Sequence, residues 1–236
     1  MKNNMRNVYL FDMDSTLLEM DQDEFIYEYF KLVAQEAYKH NLNPNEFMEE
    51  FKRSAYMMLK NNGDVSNEEY FWALMSQKYN KEDIEKVFND FYNGSYDNLE
   101  KLVKRTNNPK EIIDKLKKKN KRIVLATAPL FPYLAIEKRI RWAGLDPKDF
   151  ELVTSYEYSR FCKPKYEYYM EILNKLNIKE EECYMVGNDL DDDFSYLPKG
   201  IKKILITNYM LNRNNKIINK DDFEFIGSIE EFNKMI

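Results

Sequence analysis

The chain has 236 residues, 36 basic and 41 acidic, and a net charge of −5 with both signs spread along its length. That length supports a substantial core in one domain or in a domain with an insertion, and the lack of a basic stripe argues against nucleic acid as a partner. No apolar run is long enough to cross a bilayer, and the run after Lys2 and Arg6 is too short for a signal-peptide core, so a cytoplasmic protein without membrane contact is expected.

The first predicted element is a buried strand over Val8-Tyr9-Leu10-Phe11, an apolar run of four followed by Asp12-Met13-Asp14-Ser15-Thr16. Side chains two apart in an extended segment share a face, so Asp12 and Asp14 point the same way. Taken alone, this pair has two readings. Asp14-Ser15-Thr16 can cap a following helix, or the two carboxylates form an acid/base pair with a cation between them, because like charges in one site repel.

From about Asp21 to Tyr96 the pattern is helical. Asp21 with Glu24 is a capping-box signature, followed by Phe25, Tyr29, Leu32, Val33 and Ala37 at helical spacing. Pro44 suits a first helical position after Asn43, and Phe47, Phe51, Ala55, Met58 and Leu59 form the next stripe. Ser66 with Glu69 opens a third helix through Phe71, Leu74 and Met75, and a fourth is expected over 81–92. Four consecutive amphipathic helices predict a small bundle inserted after the first strand.

The rhythm then alternates. Helices are expected over 109–120, 133–143 (ended by Gly144) and 165–176, and strands over 122–126, 150–154, 183–186 and 203–207. A short final unit holds Phe225-Ile226 and a helix capped by Ser228. Repeated βαβ units imply a parallel α/β sheet with helices on both faces. The polar stretch over 208–222 reads as a mobile loop, and the abundance of Asn carries no functional reading.

Cys162 and Cys183 form no Cys-x-x-Cys, which argues against a zinc cluster or a disulfide framework. The single histidine, His40, stands at a helix end where a cation suits the dipole, so a Ser-His-Asp or Cys-His enzyme is disfavoured.

In an open parallel sheet, ligands bind at the carboxyl ends of the strands. Four such ends carry suggestive residues: Asp12 with Asp14; Thr127; Lys163 before Pro164; and Gly187-Asn188-Asp189 followed by Asp191, Asp192 and Asp193. Each has a plain alternative. Thr127 before Ala128-Pro129 can be a turn residue, Lys163 a solvated lysine, and the Asp run a helix start favoured by the dipole. Their order along successive strands would gather all four in one crevice.

In that order, Asp12-x-Asp14-x-Thr16, Thr127, Lys163 and Gly187-Asn188-Asp189 with Asp193 resemble the four motifs of the haloacid dehalogenase superfamily of hydrolases, and the inserted bundle resembles its helical cap. The resemblance implies a Rossmann-like parallel sheet of strand order 5-4-1-2-3, with the catalytic core over 1–17 and 97–236 and the cap over 18–96. It implies Asp12 as nucleophile, Asp14 as general acid/base, Lys163 as charge neutraliser, and Thr127 together with Lys163 as phosphate contacts. Mg²⁺ is the implied cofactor, with Asp12, Asp14, Asp189 and Asp193 as the metal residues and Asp192 an alternative for the last.

Asp14 stands where the superfamily's dehalogenases lack an acidic residue. That favours a phosphatase acting on a small phosphorylated metabolite, with a phosphomutase, a dehalogenase or a non-catalytic binding protein as alternatives. Ala128 departs from the Asn or Gly that many relatives carry after the motif threonine, which leaves substrate recognition open. Arg53, Tyr56 and Trp72 in the cap read more readily as core than as substrate contacts.

Overall fold

The structure is a computed structural model that describes residues 7–236. Lys2 and Arg6, on which the leader reading turned, lie outside the described residues.

The first strand, β1 (Val8–Phe11), is buried at every position because helices cover both faces of the sheet. Its side chains alternate between two cores. Tyr9 and Phe11 enter one, and Val8 and Leu10 the other. Ile123 and Leu125 of β2 (Arg122–Leu125) join the first core, while Val124 joins the second. The remaining strands are β3 (Leu152–Val153), β4 (Cys183–Gly187), β5 (Lys202–Ile206) and β6 (Phe225–Gly227). The order across the sheet is β3-β2-β1-β4-β5-β6, and every pairing is parallel. Read from the far edge this is the expected 5-4-1-2-3, extended by β6 outside β5. Because Phe11 pairs with both Leu125 and Val186, three strands finish level and deliver Asp12, Thr127 and the Gly187 turn to one edge.

Four helices follow β1: α1 (Gln22–Lys39), α2 (Pro44–Met58), α3 (Asn67–Met75) and α4 (Lys81–Asn93). Asp21, Asn43 and Ser66 cap the first three as their sequences require, and Pro44 occupies the first turn of α2. Helix α1 packs on α2 and α4, and α2 on α3. Their interior is aromatic: the ring of Phe51 lies 5.9 Å from that of Phe71 and 5.3 Å from that of Phe88. A 3₁₀ helix over Ser95–Leu102 extends this layer past 96, packing on α1 and α4 and stacking Tyr96 on Trp142 with ring centres 5.3 Å apart.

The other helices are α5 (Pro109–Lys118), α6 (Tyr133–Trp142), α7 (Tyr166–Leu176) and α8 (Ile229–Met235). Apolar residues of α5, α6 and α8 share the core of the α1–α4 layer, whereas α7 covers the opposite face through Tyr168, Tyr169, Ile172 and Leu173.

Several local expectations are revised. No helix starts at Asp14-Ser15-Thr16. Ser15 adopts φ 63°, its hydroxyl donates to the Met20 carbonyl at 2.8 Å, and α1 begins six residues later under Asp21. Strand β3 keeps only two of the five expected residues, and α7 begins at Tyr166, one residue later than expected. The asparagines have a backbone use. Asn43, Asn80 and Asn108 cap helices, and Asn41, Asn120 and Asn177 take φ between 51° and 60°, where a left-handed residue follows or ends a helix. The stretch expected to be mobile is tethered: Leu211 bridges Asp189 through the backbone, and Lys216 pairs with Asp191. Among the described residues, no helix is long and apolar enough to cross a membrane.

Candidate active site

Asp12 stands immediately beyond β1, fixed by its N–H donating to the Val186 carbonyl at 2.8 Å. Its two oxygens have different partners. Lys163 Nζ donates to Oδ1 at 2.7 Å, and the Thr16 hydroxyl lies 3.3 Å from Oδ2. That hydroxyl also reaches Asn188 Oδ1 at 2.9 Å, which ties the turn after β1 to the turn after β4.

Lys163 is not a solvated lysine. Only 3 % exposed, it bridges Asp12 and Asp193, with Nζ 2.6 Å from Asp193 Oδ1. Burial alone would lower the ammonium's pKa, but Asp12 and Asp193 outweigh it and raise the value, so the lysine stays charged. Asp193 spends its second oxygen on the Asp189 N–H at 3.0 Å. Tyr169 donates to the Asp193 carbonyl at 2.8 Å, which fixes the backbone there. Gly187 is required beside it, since a Cβ at that position would lie 2.1 Å from Asp193 Oδ2. Asp193, rather than Asp192, therefore meets Lys163.

Asp14 turns the other way, to a partner that sequence reading missed. Its Oδ2 pairs with Nη1 of Arg139 on α6, a fully buried guanidinium lying 4.3 Å over the Phe131 ring. Burial raises the Asp14 carboxyl above its ordinary pKa while Arg139 pulls it down. Asp14 Oδ1 and Arg139 Nη2 are buried and have no hydrogen-bond partner among the described residues. The one available signal was an arginine at position 139 on a stripe otherwise made of Ala135, Ile136 and Ile140.

Thr127 is buried in the loop between β2 and α6, one residue beyond Ala126, whose N–H donates to the Phe11 carbonyl at 2.7 Å. The Thr127 carbonyl accepts from the hydroxyls of Thr154 at 2.7 Å and Tyr168 at 2.9 Å, so the loop is held on two sides.

Asp189 accepts the N–H groups of Asp191 at 2.8 Å and Asp192 at 3.1 Å on Oδ1. Its Oδ2 faces Arg213, whose other nitrogen reaches Gln22 Oε1 at 3.4 Å. Arg213 was also missed, because it comes from the asparagine-rich stretch.

Asp12, Asp189 and Asp193 do not bring three ligand atoms close enough together to share one ion; the one such group among the described residues is Glu36 and His40 at the end of α1 with Asp90 of α4. Both carboxylate oxygens of Asp12, Asp189 and Asp193 already accept from protein donors. Asp12 and Asp189 with the Asp14 backbone carbonyl would supply hard oxygens of the kind Mg²⁺ takes with several waters, by exchanging those donors for the ion. Asp12, Asp14, Asp189 and Asp193 face Lys163, Arg139 and Arg213, so the acidic cluster is largely balanced by basic side chains.

The same fold is present in other proteins. The chain superposes with a TM-score of 0.60 on a predicted phosphoglycolate phosphatase from Haemophilus somnus, at 15 % identity over 98 % of each chain. It superposes at 0.55 on YfnB from Bacillus subtilis bound to magnesium, at 18 % identity over 98 % of each chain. It also superposes at 0.52 on a dehalogenase, at 12 % identity over 100 % of this chain and 99 % of that one. At such identities these likenesses establish the fold alone. No curated protein matches the chain. The sequence pattern of haloacid dehalogenase-like hydrolases matches residues 9–206, which span β1 to β5 and every residue of the site but Arg213. The chain belongs to the haloacid dehalogenase-like hydrolase family.

Proposed function

We propose that the chain is a Mg²⁺-dependent phosphatase of a small phosphorylated metabolite, working through an aspartyl-phosphate. The observation that carries this reading is the division of labour between two neighbouring carboxylates. Asp12 accepts a hydrogen bond from the Lys163 ammonium, while Asp14 is buried with its pKa raised and one oxygen free. A nucleophile needs the first environment and a general acid the second.

In the first step an Asp12 oxygen bonds to phosphorus, the ester P–O bond breaks, and Asp14 gives its proton to the departing oxygen. Asp14 then takes a proton from water as that water attacks phosphorus, releasing phosphate and restoring Asp12. Lys163 and the Thr127 hydroxyl stabilise the phosphoryl oxygens. Asp12, the Asp14 carbonyl and Asp189 would hold Mg²⁺, with Asp193 supporting them through the Asp189 N–H. The bound ion supplies charge neutralisation for the phosphoryl group. The helices over 18–96 act as a cap that excludes water from the site.

Hydrolysis of p-nitrophenyl phosphate with Mg²⁺, abolished by EDTA and by Asp12→Asn, is the expected result. Folded protein inactive on this ester and on a panel of phosphorylated metabolites would instead favour a binding role. Haloacid turnover without Mg²⁺ would favour a dehalogenase. A phosphate isomer formed without free phosphate would favour a mutase.

A further inference from the structure

A cavity of about 450 Å³ lies between the α1–α4 layer and the loops that follow β2 and β3. Its volume is that of a small-molecule pocket. Trp72, Phe71, Phe88 and Tyr92 wall it on the helical side, and Leu130 and Tyr156 on the side of the sheet.

Its only charged lining residues among those described are three carboxylates, Glu68, Glu85 and Glu157. Two have partners. Glu157 accepts the Tyr133 N–H at 2.8 Å and the Ser155 hydroxyl. Glu85 pairs at 3.5 Å with Lys81, whose ammonium lies 5.7 Å from the Trp72 ring. The Glu68 side chain has no hydrogen-bond or ion-pair partner among the described residues, although its N–H donates to the Tyr156 carbonyl at 2.9 Å and anchors the start of α3 on the sheet-side loop. Burial, followed by repulsion from Glu157, raises the Glu68 carboxyl above its usual range despite Lys81. Counting Lys81, the cavity carries an excess of two negative charges.

Aromatic faces and unbalanced carboxylates together select a cation that carries its own apolar bulk. Glu68, Glu85 and Glu157 do not converge closely enough to share one metal ion, and a hydrated ion would leave the aromatic walls without a partner. A neutral apolar ligand would leave Glu68 uncompensated. We infer that this cavity binds an organic ammonium group. None of the Asp12 cluster lines this cavity, although its wall adjoins that cluster: Phe131, between Leu130 and Pro132, is the ring beneath Arg139, which stands next to Asp14. The inference goes beyond the phosphatase reading and holds whether or not the chain cleaves phosphate esters.

Isothermal titration of the full chain with choline, and with its neutral isostere 3,3-dimethylbutan-1-ol, tests it. Choline is expected to bind saturably and the alcohol about tenfold or more weakly. Glu68→Gln, a change at a half-buried position, is expected to weaken choline binding about fivefold or more, and Trp72→Leu to weaken it similarly. Quenching of tryptophan fluorescence by choline in the native chain, lost in Trp72→Leu, would place the cation at this wall. No saturable choline binding below about 10 mM, equal affinity for the alcohol, or unchanged affinity in Glu68→Gln would overturn the inference.

Discussion

Replacing Arg139 with Met isolates the energetic role of the one fully buried guanidinium among the described residues. Methionine retains an unbranched apolar stem and a polarizable atom against Phe131 but removes the charge that faces Asp14. Asp14 then either remains ionised without its partner or becomes protonated, and the cheaper route bounds the cost. Protonating a carboxyl whose unfolded pKa is about 3.9 costs about 1.4 kcal/mol per pH unit above it, which gives at most about 4 kcal/mol at pH 7 and about 1.5 kcal/mol at pH 5. The sign follows from direction. Burial already raises Asp14 in the native protein, with Arg139 opposing it, so removing Arg139 moves the folded pKa further above the unfolded one. Stability tied to such a group is complete below the unfolded pKa and is lost as pH rises toward the folded one. The variant should therefore fall further behind the native protein between pH 5 and pH 7, beyond a pH-independent loss of about 1–2 kcal/mol from the guanidinium–ring contact. Urea unfolding at both pH values measures the gap, and the double variant Asp14→Asn/Arg139→Met should show none of the pH-dependent part. A gap equal at pH 5 and pH 7, or larger at pH 5, would refute the reasoning.

Asp14→Asn should slow alkyl phosphates by about 10²–10⁴-fold and p-nitrophenyl phosphate much less, because nitrophenolate departs without a proton; equal losses in steady-state kinetics would contradict the general-acid role. Gly187→Ala should cost about 1–3 kcal/mol and slow turnover, since its Cβ would displace Asp193 from Lys163; an unchanged urea midpoint would count against that packing. Burial pushes the Cys162 thiol up to about 12, so thiolate is suppressed at pH 8. A disulfide-exchange reagent at pH 8 should then leave Cys162 unlabelled by mass spectrometry until urea unfolds the chain, and rapid labelling of the native protein would contradict its environment.

What could be read from the sequence was what depends on near neighbours. Strands β1, β2 and β4 declared themselves as short apolar runs, and Asp21, Ser66 and Ser228 marked helix starts because a cap and its partner lie three residues apart. Asp12, Lys163 and Asp193 were legible for a related reason: each follows a predicted strand end, and parallel strands align their ends. Arg139 was not, because its meaning depends on which face α6 turns toward a residue 125 positions earlier. Arg213 was hidden by the polar sequence around it, where the tethers, the Leu211 backbone and the Lys216–Asp191 pair, leave no periodic pattern. The 3₁₀ helix at Ser95–Leu102 lacks the period of an α-helix and is held by packing on α1 and α4.

The two edges of the sheet have a bearing on self-association. One edge is β3, with two residues, and the other is β6, with three. Unpaired backbone along a sheet edge is a template for strand addition from another molecule, and the length of that edge sets how many intermolecular hydrogen bonds can form. The longer strands β1, β4 and β5 are all interior, so the most apolar ladders of this protein are never offered to a neighbour while the chain is folded. Any loss of solubility on mild heating should accordingly track global unfolding rather than precede it.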